Sequence, residues 1–162
     1  MLDKSSSEDS SAAADTTYYY FALAYSSGGS SAFTAGERGY RNAEIPEKPT
    51  GLTASDGDST DHVLLTWNAS ARAATYKVYR SSNEAGTDIL LLDSTAATTF
   101  LDLTANHETE YYYFVAAHNS GGDSPLSDSD IGFRAPPVPL TPTNLSASDN
   151  TPSTHVAISW DA

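Results

Sequence analysis

The stretch Tyr111-Tyr112-Tyr113-Phe114-Val115-Ala116-Ala117-His118 decides the fold of this chain. It is rich in aromatic residues and contains neither glycine nor proline, which is typical of a β-strand. Because strand side chains alternate between two faces, Tyr113 and Val115 are predicted to face a core, with Tyr112 and Phe114 on the opposite, outer face.

The beginning of this stretch occurs twice, because Tyr18-Tyr19-Tyr20-Phe21 precedes it by 111 − 18 = 93 residues. The match continues without a gap: 22 of 53 positions are identical between residues 17–69 and 110–162, and Trp67 recurs as Trp160. A period of this length, with one aromatic strand and one tryptophan per copy, indicates tandem domains rather than a solenoid of short units. Such an array favours a structural or binding role over catalysis.

The repeat divides the chain into four parts. Residues 1–16 are rich in Ser, Ala and Asp and have almost nothing to bury, so they are predicted to be mobile. Residues 17–43 correspond to the C-terminal part of a module, 44–137 to a complete module, and 138–162 to the N-terminal part of a further one. We therefore expect a piece of a longer gene product. The two partial units could meet between chains, but together they still lack the third to fifth strands.

Two proline-rich joints, at 44–49 and 135–142, separate the units. Proline fixes φ and biases the preceding residue to extended geometry. The joints are therefore predicted to be short, semi-rigid spacers.

Seven short extended segments with turn residues between them fill the complete module, and none shows a helical period with caps. Such segments at regular spacing predict an all-β sandwich or barrel. Period-two alternation then assigns an inward face to each segment. The predicted core consists of Leu52, Val63, Leu65, Trp67, Tyr76, Val78, Tyr111, Tyr113 and Val115, together with Leu90 and Leu101.

These segments together resemble the fibronectin type III domain, in the form found in bacterial extracellular proteins. The resemblance covers about residues 17–162. It rests on Pro49-Thr50-Gly51-Leu52-Thr53-Ala54-Ser55 in the first strand, Trp67 closing the second, Tyr76-Lys77-Val78-Tyr79-Arg80, the pattern from Tyr111 to Ala117, Asn119 and Gly121-Gly122.

The resemblance implies a seven-stranded, immunoglobulin-like two-sheet sandwich around Trp67. It also implies a corner tyrosine at Tyr111, whose hydroxyl bonds the backbone upstream. Animal members often place the second aromatic residue of the third strand four residues after the first. Here Arg80 holds that place and Tyr79 comes one residue earlier, which predicts an outward Tyr79. The cell-binding Arg-Gly-Asp tripeptide of some members is absent, since the last hairpin carries Ser120-Gly121-Gly122-Asp123, so integrin recognition by that route is not expected.

The chain is acidic, with 21 Asp and Glu against 8 Lys and Arg and a net charge of −13. It has no basic stripe for a phosphate backbone, which argues against nucleic-acid binding and against contact with an anionic membrane surface. No window approaches the roughly 20 apolar residues of a membrane helix. The absence of cysteine excludes disulfides and thiolate metal sites. The N-terminal residues lack the apolar core of a signal peptide, so an export signal would lie outside this sequence.

Asp56, Asp58 and Asp61 cluster in one predicted turn, and carboxylate oxygens are ligands that Ca²⁺ prefers. The spacing is not that of an EF-hand, and the repeated loop at 149–154 keeps one of the three carboxylates. A solvated acidic turn is the simpler interpretation, and Ca²⁺ is the only cofactor that the sequence suggests.

The histidines could in principle supply a catalytic base, but no nucleophile-elbow or metal-binding helix motif accompanies them. His62 and His155 occupy the same repeat position, and a position repeated in a partial unit indicates a structural role. The sequence therefore predicts no catalytic residue. The four histidines are His62, His107, His118 and His155.

The outward aromatic residues are the best candidates for ligand binding. Tyr79, Tyr112 and Phe114 are predicted to lie on the outer face of the sheet formed by the third, sixth and seventh strands. Amphipathic rings in a row can stack on sugar rings or anchor a protein partner. Cross-strand pairing and packing against an adjoining module remain open as purely structural interpretations.

Two functions are compatible with these observations. The first is a non-catalytic spacer and interaction surface in a tandem array, with neighbouring modules as partners; the family resemblance implies a secreted or cell-surface protein. The second is a carbohydrate- or protein-binding accessory module that uses the outward aromatic residues, attached to a glycoside hydrolase.

Overall fold

The structure, a computed structural model, describes residues 6–148 and 156–161. His155 and the whole of the repeated loop at 149–154 lie outside the described residues. The described part of the chain forms only β-strands, and it contains no helix that could span a membrane. The strands are β1 Tyr18–Tyr20, β2 Tyr25–Ser26, β3 Gly29–Ser30, β4 Glu37–Gly39, β5 Thr53–Ala54, β6 Val63–Thr66, β7 Thr75–Ser81, β8 Leu90–Thr95, β9 Thr99–Asp102, β10 Tyr111–Asn119, β11 Gly122–Asp123, β12 Asp130–Gly132, β13 Thr143–Ala147 and β14 Ile158–Asp161.

Residues 53–132 form two antiparallel sheets. One has the order β11-β10-β7-β8, with β12 also paired to β10, and the other has the order β5-β6-β9. Their inner faces enclose the core, as expected for an immunoglobulin-like sandwich. The long strands β7 and β10 pair in a register that places Val78 opposite Val115, and the 119–123 turn forms the predicted hairpin, with Asn119 opposite Gly122.

The core is built from alternate residues of both sheets. Tyr111 and Leu52 are partly buried and pack against it, and Trp67 meets the ring of Tyr76 edge-on, with ring centroids 5.5 Å apart. A buried indole between two sheets is what the alternation of the flanking segments predicts. The buried members of the predicted core are Val63, Leu65, Trp67, Tyr76, Val78, Tyr113 and Val115.

The prediction that Leu90 and Leu101 face the core is wrong, because their side chains are 55% and 47% exposed. Leu92 and Phe100 pack against the core instead. In β8 the register shifts between Val78 and Tyr79 of the partner strand, which changes the alternation expected from the sequence. In β9 the last residue, Asp102, is turned inward, so the alternate residue Phe100 is inward as well and Leu101 faces solvent.

The first predicted unit reproduces, at the 93-residue offset, the strand pairing of residues 111–132. Tyr18 pairs with Gly39 as Tyr111 pairs with Gly132, and Tyr25 pairs with Ser30 as His118 pairs with Asp123. Side-chain bonds are repeated too. The amide of Ala22 donates to the Thr34 hydroxyl at 3.1 Å, and the amide of Val115 donates to that of Ser127 at 3.0 Å.

The repeat extends further towards the N-terminus than the sequence comparison indicated. The prediction that 1–16 have almost nothing to bury is wrong for Ala12, which is 5% exposed. Ala14 forms a parallel bridge with Arg41, as His107 does with Arg134. Residues 9–16 therefore copy the corner at 102–109, although only three residues, at 9, 12 and 16, are identical between these segments.

The last predicted unit also keeps the strand register of residues 53–66. Ala147 pairs with Ile158 as Ala54 pairs with Leu65, and the amide of Ala157 donates to the Ser148 hydroxyl at 2.9 Å, as Leu64 does to Ser55. The described residues place no second sheet over this pair of strands. As a result Trp160 is 57% exposed, whereas Trp67 is 5% exposed.

Candidate functional site

The outer face of the five-stranded sheet carries two of the three predicted ligand-binding residues at its surface. Tyr79 and Tyr112 are half-buried and lie on neighbouring strands. Leu91, which is 49% exposed, lies opposite Tyr79, and Ile131, 37% exposed, lies opposite Tyr112. These four residues lie on the outer face as two cross-strand pairs, Leu91 with Tyr79 and Ile131 with Tyr112, and we call them together the outer patch.

The expectation that Phe114 is exposed on this face is wrong, because its side chain is only 7% exposed. It does lie on the outer face, opposite Tyr79. The loop between β7 and β8 folds over it, and a Cβ placed on Gly86 would lie 3.5 Å from the tip of its ring. Gly86 has a φ of +63°, a backbone conformation that favours glycine. The covering loop thus removes Phe114 from any ligand.

Hydrogen bonds to Asp88 hold this covering loop in place. The Asp88 carboxylate accepts from the hydroxyl of the buried Ser81, from the Ser82 hydroxyl at 2.6 Å and from the Asn83 amide nitrogen at 2.9 Å. The hydroxyls of Ser81 and Ser82 lower the pKa of Asp88 to about 2. These hydrogen bonds fix the loop as an ordered part of the outer face.

Inside the sandwich, an ion pair joins Arg80 to the buried Asp102 at 2.7 Å. The Asp102 carboxylate also accepts from the Tyr113 hydroxyl at 3.0 Å and from the Thr104 hydroxyl and amide at 2.7 and 2.8 Å. Burial raises the pKa of Asp102, but the Thr104 hydrogen bonds and the Arg80 charge outweigh it and hold that pKa below its ordinary value. Burial, together with the nearby Asp102 charge, raises the pKa of Tyr113. The departure at Arg80 from the family pattern thus supplies the counter-ion of a buried acid.

Among the described residues, the Tyr111 hydroxyl forms no hydrogen bond with the backbone of the kind expected of a corner tyrosine. Its hydroxyl accepts from the side-chain amide of Asn106 at 3.1 Å. The guanidinium carbon of Arg80 lies 4.4 Å from the centre of its ring, a distance typical of a cation–π contact. The ring of Tyr111 therefore packs over the guanidinium of Arg80, the arginine of the buried ion pair.

The three aspartates of the candidate calcium loop take up different roles. Asp56 forms a bridge with Phe133, and the Asp61 carboxylate accepts from the Thr60 hydroxyl at 3.2 Å. Partial burial and the nearby charges of Asp130 and Asp58 raise the pKa of Asp56. Within residues 6–148 and 156–161 no group of three or more His, Asp or Glu side chains is arranged to hold a metal ion.

The described histidines bond to local structural partners. His107 contacts the carbonyl oxygen of Ala135 at 2.7 Å, and His118 contacts the Asp123 carboxylate at 2.6 Å. His62 lies 3.3 Å from the Ser59 hydroxyl. The first of these contacts ties the corner after β9 to the end of the complete unit.

The joint at 44–49 is clasped by the hairpin between β10 and β11. The Asn119 side-chain amide donates to the carbonyl oxygens of Glu44 and Arg72, at 2.8 and 3.0 Å. Next to it, Gly121 packs so closely that an added Cβ would lie 2.3 Å from the carbonyl oxygen of Ala43. No side chain fits at Gly121 without moving the joint.

Charged groups reinforce this contact on both sides. The Arg72 guanidinium donates to the carbonyl oxygen of Ile45 at 3.2 Å and lies 3.7 Å from the carboxylates of both Glu44 and Glu47. Ser120 donates to the carboxylate of Asp15, which belongs to the preceding unit. Exposed ion pairs of this kind contribute little each, so we assign the main role to the Asn119 amide and to the fit at Gly121.

The sandwich has a close counterpart among solved structures. A Fn3-like protein from Clostridium thermocellum is 31% identical, and the match covers 60% of this chain and 100% of that one with a TM-score of 0.51. The chain belongs to the fibronectin type III family. A titin fragment, domains A168–A170, also matches 60% of the chain with a TM-score of 0.51 at 24% identity, which supports the fold alone.

Two curated proteins extend the comparison of this fibronectin type III chain. An amylopullulanase from Thermoanaerobacterium saccharolyticum is 30% identical over 94 residues, which is 57% of this chain and 7% of the enzyme. The tail tube protein gp17.1* of Bacillus phage SPP1 is 36% identical over 84 residues, which is 51% of this chain and 29% of that protein. The chain thus spans less than a third of each of these relatives. No family model matches it.

Sequence reasoning missed three features of this fibronectin type III chain: the covering loop, the Arg80–Asp102 pair and the clasped joint. The pair had a signal, since Asp9 and Asp102 are one of only three identical pairs between residues 9–16 and 102–109 at the 93-residue offset. The covering loop had a weaker one in its cluster of Ser, Asn and Asp, which bond their own backbone in turns. The fit at Gly121 had none, because it depends on a residue 78 positions away (121 − 43).

Proposed function

We propose that this chain is a non-catalytic spacer and interaction segment in a tandem array of fibronectin type III modules, in a secreted or cell-surface protein. The supporting observation is the repetition of strand registers at 93-residue spacing on both sides of the complete unit. In this proposal residues 17–43, 44–137 and 138–162 belong to three successive modules, and the partners are the neighbouring modules. Fibronectin type III domains are in general non-catalytic, and the matched part of the amylopullulanase is a small share of that enzyme.

The mechanism of the spacer is geometric. A chain of sandwiches transmits a fixed spacing only if each joint resists bending. At the joint at 44–49, the prolines restrict the backbone and the Asn119 amide ties two carbonyl oxygens from different segments. Gly121 then closes the contact against Ala43. We expect this joint to hold one angle rather than to act as a flexible linker.

Gly121→Val should loosen the joint, because its side chain would collide with the Ala43 carbonyl oxygen. The chain has no cysteine, so spin labels can be placed on cysteines introduced at Arg38 and Ser94, one in each unit and both exposed. Double electron–electron resonance should give one narrow distance distribution in the parent and a broad or displaced one in the variant.

Gly28→Val is the matched control. Gly28 occupies the same repeat position in the first unit, and an added Cβ there would meet only the Ser26 hydroxyl, at 3.7 Å. This variant should keep the narrow distribution. A broad distribution in the parent, or no change with Gly121→Val, would contradict a rigid joint.

A second candidate function is carbohydrate binding by the outer patch, as an accessory module of a glycoside hydrolase. Two observations favour it. Tyr79 and Tyr112 lie on neighbouring strands of the outer face, two positions out of register, and both are half-buried. Part of an amylopullulanase is also similar in sequence. The name of that enzyme makes α-glucans the first polysaccharides to try. The same patch could instead bind a protein partner.

If the outer patch binds α-glucan, Tyr79→Ser combined with Tyr112→Ser should weaken binding by about tenfold or more, since each stacked aromatic ring contributes about 1 kcal/mol. Affinity electrophoresis in gels containing starch or pullulan measures this as lost retardation. Phe114 is left unchanged because it is buried, and Tyr25→Ser, at an 81% exposed tyrosine outside the patch, serves as the control. Equal migration of the parent with and without polysaccharide would remove this candidate and leave the spacer role intact.

A further inference from the structure

The complete sandwich is closed along one side and open along the other. On the closed side β5 lies beside β12, where the Ala54 amide donates to the Asp130 carboxylate at 2.8 Å and the Phe133 amide donates to the carbonyl oxygen of Ser55 at 3.1 Å. On the opposite side lie β8, the last strand of the five-stranded sheet, and β9, the last strand of the other sheet. Within the described residues, β8 pairs only with β7 and β9 only with β6. Each of these two strands therefore has one free backbone edge on the open side.

The open side is apolar and almost free of charge. Its exposed apolar residues are between 37% and 64% exposed; they are Ile89, Leu90, Leu91, Leu101 and Leu103. From 89 to 107 the chain has no lysine or arginine and two acidic residues, of which Asp102 is buried and Asp93 is exposed. A contiguous apolar surface of this kind is typical of an interaction site. In a chain of net charge −13 it is also a place where charge does not oppose close contact.

The first half of β8 lacks the features that usually protect an edge strand. Proteins protect such strands with lysine, proline, inward charges or a β-bulge. In β8 these features stand in the second half, because the irregularity in its pairing with β7 falls at Leu92 and Asp93 follows it. Residues 89–91 before them carry neither a charge nor a proline. The carboxylate of Asp88, which precedes them, is held by hydrogen bonds within the covering loop.

The joints to the neighbouring units attach on the side away from β8. The joint at 135–142 follows β12, and both β10 and β7 stand between β12 and β8, a distance of about 14 Å at the usual strand spacing. The joint at 44–49 leads into β5 and is held by the hairpin between β10 and β11. A preceding or following unit is therefore not directed towards the free edge of β8.

We propose that the open side binds a second copy of this chain, with β8 of one copy pairing antiparallel with β8 of the other about a two-fold axis. A second copy brings no like charge against residues 89–91, whereas two chains of net charge −13 repel each other elsewhere. A strongly charged partner finds no opposite charge here to bind. A two-fold axis also makes one strand edge complementary to itself. This inference goes beyond the spacer function and does not rest on it.

Charge also selects the register of the paired strands. With the pair centred on Leu91, this residue lies opposite its own copy, Leu90 lies opposite Leu92 of the second copy, and no two acids are opposed. A shift that placed Leu90 opposite Leu91 would bring Asp88 opposite Asp93, and like charges directly opposite each other destabilise a strand pair. Because Leu91 belongs to the outer patch, the outer patches of the two copies would form one surface across the axis.

Sedimentation equilibrium of the full chain, at concentrations up to about 1 mM, should show a reversible equilibrium of monomer and dimer, since a short edge pair gives a small and weak interface. Leu91→Lys should raise the Kd of the dimer by about tenfold or more, because it removes two leucines from the contact and sets two ammonium groups side by side. The added lysine lowers the negative charge of the chain, so overall repulsion cannot explain the loss. Leu145→Lys, at an exposed leucine of β13, is the matched control and should leave the Kd unchanged.

Three results of this experiment would overturn the proposal. They are a chain that stays monomeric at about 1 mM, equal Kd values for the two lysine variants, and a dimer that is lost with Leu145→Lys but kept with Leu91→Lys. Added salt should strengthen the dimer, because it screens the repulsion between two acidic chains. A dimer that weakens with salt would be held by charge attraction and would equally contradict the proposal.

Disulfide formation tests the register in a chain that has no cysteine of its own. Leu91→Cys should form disulfide-linked dimers on mild oxidation, because directly opposed residues of an antiparallel pair bring their Cβ atoms within reach of a disulfide. Ser94→Cys is exposed on the same strand but should not cross-link, since its two copies would lie about 20 Å apart along the paired strands. Equal cross-linking of the two variants, as random collision or an in-register parallel pair would give, overturns the proposal even if Leu91→Lys does not fold.

Discussion

Leu65→Ala should lower the free energy of unfolding of the complete sandwich by about 2–5 kcal/mol, the range for removing a fully buried leucine side chain. Ile158→Ala, at the same repeat position in the last partial unit, should change it by less than about 0.5 kcal/mol. The two residues hold the same place in their strand pairs, opposite Ala54 and Ala147. Leu65 is 0% exposed and Ile158 is 59% exposed. The difference between the variants thus reflects the packing of Leu65 between two sheets, which Ile158 lacks in the described residues.

Urea unfolding followed by tryptophan fluorescence measures both variants. The chain has two tryptophans, so Trp160→Phe is introduced throughout to leave the buried Trp67 as the reporter. The parent in this background should unfold in one transition with blue-shifted native emission. Similar losses of stability for Leu65→Ala and Ile158→Ala would mean that Ile158 packs against the sandwich that contains Trp67, contrary to the arrangement described above.

Asp102→Ala should destabilise the sandwich by about 3–5 kcal/mol, because it leaves the Arg80 guanidinium without its partner in a mostly buried position. The Tyr113 hydroxyl loses its acceptor in the same change, inside the core. Asp9→Ala, the matched change in the first unit, removes a fully solvated carboxylate and should leave the unfolding transition of the sandwich where it is.

The same residue should make stability depend on acid pH. The pKa of Asp102 in the folded state is below its ordinary value of 3.8. Its contribution is therefore complete above that value and is lost as the pH falls through the lower folded-state pKa. Urea midpoints measured from neutral pH down to about pH 2 should fall in the parent and fall less steeply in Asp102→Ala. Parallel pH profiles for parent and variant would show that Asp102 is not the group responsible.

The sequence predicted the strands well, but it predicted poorly which side chains are covered by other segments of the chain. The alternation in Tyr111–Asn119 placed Tyr113 and Val115 inward because it depends only on the local geometry of an extended backbone. It could also place Phe114 on the outer face, but not the covering loop above it, whose shape rests on hydrogen bonds to Asp88. Leu101 was assigned to the wrong face for a related reason. The inward residue at the end of β9 is a charged one, and it is buried because Arg80 reaches it from the other sheet.

The candidate sites divide in the same way. Tyr79 and Tyr112 could be named from the strand pattern, and the structure leaves both at the surface. The contacts of Asn119 and Gly121 with the joint could not be predicted from the sequence, because no local pattern relates these distant segments. Asp9 is an intermediate case. The sequence shows that it repeats Asp102, but only the structure shows that the two carboxylates accept matching hydrogen bonds.

The amino-acid sequence by itself determined the strand positions, the 93-residue repeat and the register shared by the repeated segments, since these depend on local alternation and on turn residues. Tertiary structure alone decided which repeated side chains are buried. Val63 and Val156 are the same residue at the same repeat position, yet one is 0% and the other 62% exposed. The physical reason is that removal from water depends on a second sheet contributed by residues distant along the chain.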